Sequence, residues 1–286
     1  TYSDGLIVKW NPPINSNGVT GYTLKRDGVV VAEHLSNKVY KDTDVLPDTE
    51  YAYSVIAEYG DALGVESETA VLKTDKVLSI TLPTDSEEES FYEEYDGGNG
   101  ISFHYNNSNV ADDSMNVVDT RGGKQARVTG VEDRAAGKLY NYFADGEPYA
   151  DKGKIRYTSI RYKVDNSVIS ADDRDVTVEF DYFDDENVKG KALYIQYLAY
   201  NNGEASTAPT KTILNLAGDN EWKTVKVNLT NAQFDHNAKV FAGYDFRMGI
   251  SGDGGFATTN VKVYRPMPDM VGYAKVNADG TELETK

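Results

Sequence analysis

Along residues 224–229, Val225, Val227 and Leu229 alternate with Thr224, Lys226 and Asn228. A period of two predicts a strand with one buried face, because successive side chains of a pleated strand point to opposite sides. Trp222 breaks this rhythm. It shares its parity with Thr224, Lys226 and Asn228, so the largest apolar side chain of the stretch falls on the polar side. Two explanations stand open: a loop covers the strand there, or a molecule from outside stacks on the ring. The same alternation recurs in Ile101–Tyr105, Ala126–Thr129, Lys138–Phe143, Thr158–Val164, Val176–Phe183, Leu193–Tyr200, Thr212–Leu216, Lys223–Leu229, Asp245–Ile250 and Asn260–Arg265. No amphipathic helix interrupts them, and Ala232–Asn237 predicts one short helical turn at most. Short strands in this number predict two antiparallel sheets, most simply a jelly roll.

The first 76 residues follow the same period with different punctuation. Leu6, Val8 and Trp10 alternate until Asn11-Pro12-Pro13 stops the strand, and a second run from Val19 to Lys25 turns at Arg26-Asp27-Gly28 into Val29–Val31. Tyr51, Tyr53, Val55 and Ala57 form a long alternating run, and Ala70–Thr74 closes the segment. Short strands separated by Pro, Gly and Asp predict an all-β sandwich. The stretches LIVKWNPP, GYTLKRDG, VLPDTEYAYSVIAEY and SETAVLKT, in this order and spacing, resemble a fibronectin type III domain over residues 1–76. The resemblance implies that Trp10 and Tyr51 are core residues. In that family another strand precedes the tryptophan strand, and residues 1–3 are too few to supply it. The domain is therefore expected to be truncated, or completed from outside the chain, and the whole to be a piece of a longer protein.

Residues 77–90 read as a connector. Leu78, Ile80 and Leu82 are placed to start a new strand, and Pro83 to Glu89 carries a short acidic run. Such a run reads as a solvated loop, with a structural calcium site at its carboxylates as the alternative. The second module extends over 78–266, and 267–286 reads as a hairpin or the start of a further module. The texture of VTVEFDYFDD, YIQYLAY, EWKTVKVNLTNAQF, YDFRMGI and NVKVYRP resembles the β-sandwich modules appended to secreted bacterial polysaccharide-degrading enzymes. That resemblance implies an extracellular, non-catalytic module that binds a polysaccharide or oligosaccharide and works beside neighbouring modules of the same polypeptide.

Charge and composition narrow the chemistry. The formal net charge of -17 over 286 residues argues against nucleic acid and anionic membranes as partners, and counts against uronate-rich polymers. With no cysteine, disulfides and thiolate metal sites are excluded. His34, His104 and His236 lie far apart and form no zinc motif, and neither a phosphate loop nor a nucleophile elbow is present. Among 46 acidic residues, carboxylate pairs arise by chance, so a glycosidase cannot be argued from them. A lyase groove for polyanions would want basic and histidine side chains beside Gln196 and Tyr200, and these are missing nearby. No cofactor is expected.

Parity supplies the candidate site. Val176, Val178, Phe180 and Tyr182 form one face of their strand, leaving Thr177, Glu179, Asp181 and Phe183 on the other. Leu193 and Ile195 oppose Tyr194, Gln196, Leu198 and Tyr200, while Phe246, Met248 and Ile250 oppose Asp245 and Arg247. If these strands share one sheet, its outer surface carries Trp222, Tyr194, Tyr200 and Phe183 among Glu179, Asp181, Gln196, Lys226 and Arg247. Rings that stack on the C–H face of a pyranose, set among amide, carboxylate and guanidinium groups that meet its hydroxyls, suit a saccharide. The competing expectation is structural: Arg247 paired with Glu179 or Asp181 across strands, Trp222 capped by a loop, and a sandwich that spaces or adheres without any glycan. Tyr140, Tyr142 and Tyr149, around Ala144-Asp145-Gly146-Glu147, form a second candidate cluster on a loop.

Overall fold

The computed structural model of the chain describes residues 2–82, 94–96, 99–104, 116–133, 138–141, 155–156, 159–207, 210–241, 243–252, 255–268, 275–276 and 282–283. They form two compact units, one of residues 1–77 with 265–286 and one of residues 78–264. Both are built from antiparallel strands.

In the first unit, β1 (Leu6–Lys9) pairs with β4 (Val39–Asp42). The strands β2 (Gly21–Arg26), β3 (Val29–Ala32), β5 (Glu50–Tyr59), β6 (Ala62–Glu66) and β7 (Ala70–Lys73) form a second sheet in the order β3-β2-β5-β6, with β7 also on β5. Leu6 and Val8 of β1 meet Leu24 and Tyr53 of that sheet in the core, and Trp10 packs partly buried beside them, edge-on to Tyr22 at 5.6 Å. The turn at Asp27-Gly28 has positive φ at both residues, 52° and 79°, the backbone that a two-residue hairpin needs. Tyr51 accepts the Leu46 N–H on its hydroxyl at 2.7 Å. From the distal segment, Met267 N–H donates to the Asp4 carboxylate at 2.8 Å, and Arg265 pairs with Asp75. The short strands β23 (Lys275–Val276) and β24 (Glu282–Leu283) pair with each other.

The second unit is a sandwich of two large sheets. Its strands are β8 (Leu78–Ile80), β9 (Glu94–Asp96), β10 (Ile101–His104), β11 (Asn116–Arg121), β12 (Lys124–Asp133), β13 (Lys138–Asn141), β14 (Ile155–Arg156), β15 (Ser159–Val164), β16 (Val176–Asp184), β17 (Ala192–Asn201), β18 (Glu204–Thr207), β19 (Lys211–Asn215), β20 (Glu221–Leu229), β21 (Phe246–Ile250) and β22 (Ala257–Tyr264). The order β18-β17-β21-β15-β10-β9, with β19 on β17, makes a seven-stranded sheet. An eight-stranded sheet has the order β11-β12-β22-β16-β20, with β13 and β14 on β12 and β8 on β22. The alternating apolar positions meet between them. Val176, Val178, Phe180 and Tyr182 from one sheet pack with Leu193, Ile195, Phe246, Met248 and Ile250 from the other, all but fully buried.

Every alternating segment of the sequence forms a strand, and Leu78–Ile80 does start one. The parts of the predicted strands at Tyr105, Tyr142–Phe143 and Thr158 lie outside the described residues. Two expectations change. Residues 232–237 form no helical turn: Ala232 bridges Ala199 and Phe234 enters the core, both at 0% exposure, and α1 (Ala238–Phe241) follows instead. Asp245, expected on an outer face, is fully buried. Its carboxylate accepts the Val164 N–H at 2.8 Å and the His236 N–H at 3.1 Å, and His236 Nε2 lies 3.0 Å from it.

That carboxylate holds the His236 imidazole above its ordinary pKa, mainly by hydrogen bonding and against the opposing effect of burial. A raised folded-state value means the stabilisation is complete below the ordinary imidazole range and fades as pH rises through the folded value. The thermal stability of residues 78–264 is therefore expected to fall from pH 6 to pH 9, and His236→Gln should flatten that part of the slope. Asp245→Ala, which strips the buried Val164 N–H and the part-buried His236 N–H of their acceptor, should cost about 3 kcal/mol in chemical denaturation.

Candidate functional site

The aromatic and polar residues expected on one surface are split between two. Glu179, Phe183 and Trp222, with Asp181 and Lys226, belong to the eight-stranded sheet, whereas Tyr194, Gln196, Tyr200 and Arg247 belong to the seven-stranded one. The core-facing positions follow their parity, but β16 hydrogen-bonds to β20 and β22 while β17 hydrogen-bonds to β21. Strands with the same pattern thus carry their polar sides to opposite surfaces of the sandwich.

On the seven-stranded sheet, Gln196 and Arg247 sit directly opposite each other, and Arg247 Nε donates to Gln196 Oε1 at 2.9 Å. Arg247 therefore makes no cross-strand bridge to Glu179 or Asp181. The Arg247 guanidinium lies 6.0 Å from the ring centre of Tyr194, which is only 7% exposed. Leu198, on the same side by parity, is fully buried. Tyr200 is 40% exposed, and the Arg174 guanidinium covers its ring at 4.2 Å. Among the described residues, this surface offers no bare row of rings.

The outer face of the eight-stranded sheet is more regular. Reading across β20, β16 and β22, Lys226 is opposite Glu179 and Glu179 opposite Lys262; Thr224 is opposite Asp181; Trp222 is opposite Phe183. Asp181 accepts the Thr224 hydroxyl on one oxygen at 2.6 Å and the Asn260 amide on the other at 2.7 Å. Lys262 donates to Glu179 at 2.9 Å, a bond that raises the ammonium's pKa against partial burial. Asn260 joins the lattice because the register of β16 and β22 shifts between Glu179 and Asp181, leaving Asn260 at φ 45°. Strand spacing of about 4.8 Å and side-chain spacing of about 6.8 Å set the grid.

At one end the lattice gives way to a small apolar cluster of Phe183, Ala126, Val128 and Ala257, with Trp222 packed against it. Phe183 is 8% exposed, so it supports the cluster and is no open platform. Its ring and the indole sit 5.6 Å apart, tilted at 52°. The cap comes from the turn between β11 and β12. Trp222 Nε1 donates to the Arg121 carbonyl at 2.7 Å, and Gly122 lies so close that an added methyl would fall 2.6 Å from Phe183 Cε2 and 3.1 Å from the indole. Gly122 and Gly123 both have positive φ, 50° and 76°. The off-beat tryptophan is thus fixed along its pyrrole edge by a loop and stays half-buried. Lys124, at the start of β12, holds its ammonium 5.4 Å from the indole centre. Neither this turn nor Lys124 was singled out from sequence, although adjacent glycines between alternating runs were the available signal.

Behind the same strand end, Asp184 accepts the Ala217 and Gly218 N–H groups and the Lys223 ammonium. Burial alone would raise the Asp184 pKa; these donors overcome it and hold the carboxyl below its usual range. The group is structural, since it anchors the 217–220 turn that delivers Trp222. Among the described residues no cluster of three or more acidic or histidine side chains could hold a metal ion, and the acidic run at 85–89 lies outside them. So do Tyr142 and Tyr149; Tyr140 is on β13, with nothing described of its side chain.

No family model matches the chain. Over 58 residues it is 40% identical to human (Homo sapiens) usherin, and over 55 residues 42% identical to mouse (Mus musculus) usherin. These stretches are 20% and 18% of this chain and about 1% of each relative's length. Among solved structures, a Bacteroides uniformis beta-glucuronidase is similar at a TM-score of 0.30 with 11% identity, over 87% of this chain and 26% of that one. A carbohydrate-binding module from the β-sandwich superfamily, with promiscuous specificity, is similar at 0.24 with 12% identity, over 92% and 89%. Likeness at these scores leaves the site to be argued from its own residues.

The cap predicts a specific sensitivity. Gly122→Ala, which places a Cβ at positive φ against two rings, should destabilise residues 78–264 by about 2 kcal/mol. In a Trp10→Phe background the same change should shift Trp222 emission to the red, which fluorescence-detected denaturation would register.

Proposed function

We propose that residues 78–264 are a non-catalytic carbohydrate-binding β-sandwich, and that its saccharide lies on the outer face of the eight-stranded sheet at Trp222. The observation that carries this is the half-buried indole at the end of a regular lattice of short polar side chains. A ring fixed by its Nε1–H loses little entropy when a pyranose stacks on it, and Thr224, Asp181, Asn260, Glu179 and Lys226 lie within the following sugar's reach along the sheet. The carboxylates are tied to neighbours, Glu179 to Lys262 and Asp181 to Thr224 and Asn260, which suits them to positioning hydroxyls and not to moving protons. Tyr194, Gln196, Tyr200 and Arg247, on the other sheet, have no part in this site.

Residues 1–77 are, on this proposal, a fibronectin type III-like spacer. Support comes from β1 and β4 packing on the β3-β2-β5-β6 sheet, and from the Tyr51 hydroxyl that takes a backbone N–H five residues upstream, a corner found in immunoglobulin-like sandwiches. The natural setting is an extracellular bacterial glycan-processing protein, where such a module raises the local concentration of a catalytic neighbour on its polymer.

One observation favours a second reading, a structural or adhesive sandwich without a glycan: the lattice already satisfies its own hydrogen bonds, and the cap already shields part of the indole. Titration of the chain with a panel of neutral and acidic polysaccharides separates the two. The saccharide reading expects a ligand whose binding is lost at least tenfold in Trp222→Ala and in Asp181→Ala, with unchanged far-ultraviolet circular dichroism, but not in Tyr200→Ala. Binding insensitive to Trp222 and Asp181, or no binding across the panel, favours the structural sandwich.

A further inference from the structure

Lys226 holds its ammonium 5.0 Å from the Tyr264 ring centre on this face, and Lys124 likewise places its own over an aromatic ring, that of Trp222. The Lys124 ammonium lies 5.4 Å from the Trp222 centroid, and among the described residues no acidic side chain forms an ion pair with it. The neighbouring cations are engaged elsewhere: Arg121 pairs with Asp119 at 2.8 Å, Lys262 with Glu179 at 2.9 Å, and Lys223 with Asp184 at 2.7 Å. The indole is held beside Lys124. Its Nε1–H donates to the Arg121 carbonyl three residues before Lys124, so one hairpin both anchors the ring and carries the lysine whose ammonium lies over it.

We propose that Lys124 sets the charge class of the saccharide: its ammonium occupies the stacking surface of Trp222 and selects a pyranose bearing a carboxylate or sulfate over a neutral one. This rests on the saccharide reading of the face. A neutral sugar must displace the cation and gains nothing from it afterwards. An acidic sugar displaces it sideways into an ion pair beside the ring, so the same movement becomes favourable. The chain's net charge of -17 opposes any anion at long range, but at about 0.15 M salt that repulsion is screened beyond about 8 Å, whereas Lys124 acts at contact distance. Contact chemistry therefore decides the preference, in the opposite direction to the one the overall charge suggests.

Lys124→Ala and Lys124→Arg, in a Trp10→Phe background, test this in two independent ways. Acrylamide quenching of Trp222 should rise in Lys124→Ala and stay near the parent's in Lys124→Arg, whether or not any sugar is present; an unchanged quenching constant in Lys124→Ala would overturn the placement of the cation. Calorimetric titration with hexagalacturonate and cellohexaose should show the acid-to-neutral affinity ratio falling about four- to tenfold in Lys124→Ala, with Lys124→Arg restoring it. A ratio that does not move, while either sugar still binds, overturns the selection alone. No binding by these sugars or by the wider panel overturns the saccharide reading and the selection with it, leaving the quenching result to stand on its own.

Discussion

The hydrogen bond from Trp222 Nε1 to the Arg121 carbonyl decides what the outer face of the eight-stranded sheet is able to be. A tryptophan on the polar side of a strand would otherwise expose a large apolar surface and one N–H that wants a partner. Here the turn after β11 meets the N–H, and Gly122 lets the backbone come close enough to do so. The ring becomes the wall of a small outer core instead of a loose side chain. Its remaining exposed surface is held at one angle, beside one lysine.

Around that fixed ring the face is a lattice of short polar groups. The individual pairs are weak: an exposed ion pair such as Lys262 with Glu179 contributes about 0–1 kcal/mol. Their effect lies in placement. Asp181, held from both sides by Thr224 and Asn260, presents its carboxylate in a defined orientation, and the register shift beside it is what brings Asn260 into range. Stability of the sandwich comes from the other side of the same strands, where Val178, Phe180 and Tyr182 close the core.

Which side of each strand faces the core was legible in the sequence, because a period of two is a local property. Val176 to Tyr182, Leu193 with Ile195, and Phe246 to Ile250 all point where their parity places them. Sheet membership was not legible. Whether β16 lies beside β17 or beside β20 depends on pairing between distant segments, and nothing in a strand's own pattern records its neighbour. The expected single surface of rings failed for that reason, and because Tyr194 and Phe183 are buried on the faces where parity places them. Asp245 misled for another: its parity is polar, yet two N–H groups and a histidine from 164 and 236 make burial tolerable. The hairpins around Asn202-Gly203 and Gly122-Gly123 carried a local signal in their positive-φ residues, and the second of them holds the element that matters most to the site.

The most direct test of the account is a ¹H–¹⁵N correlation spectrum of the chain titrated with an oligosaccharide that it binds. The account predicts that the Trp222 side-chain resonance moves first and furthest, together with the amides of Thr224, Asp181 and Asn260, while Gln196, Tyr200 and Arg247 stay still. Shifts concentrated on the seven-stranded sheet, with the Trp222 resonance unmoved, would contradict it.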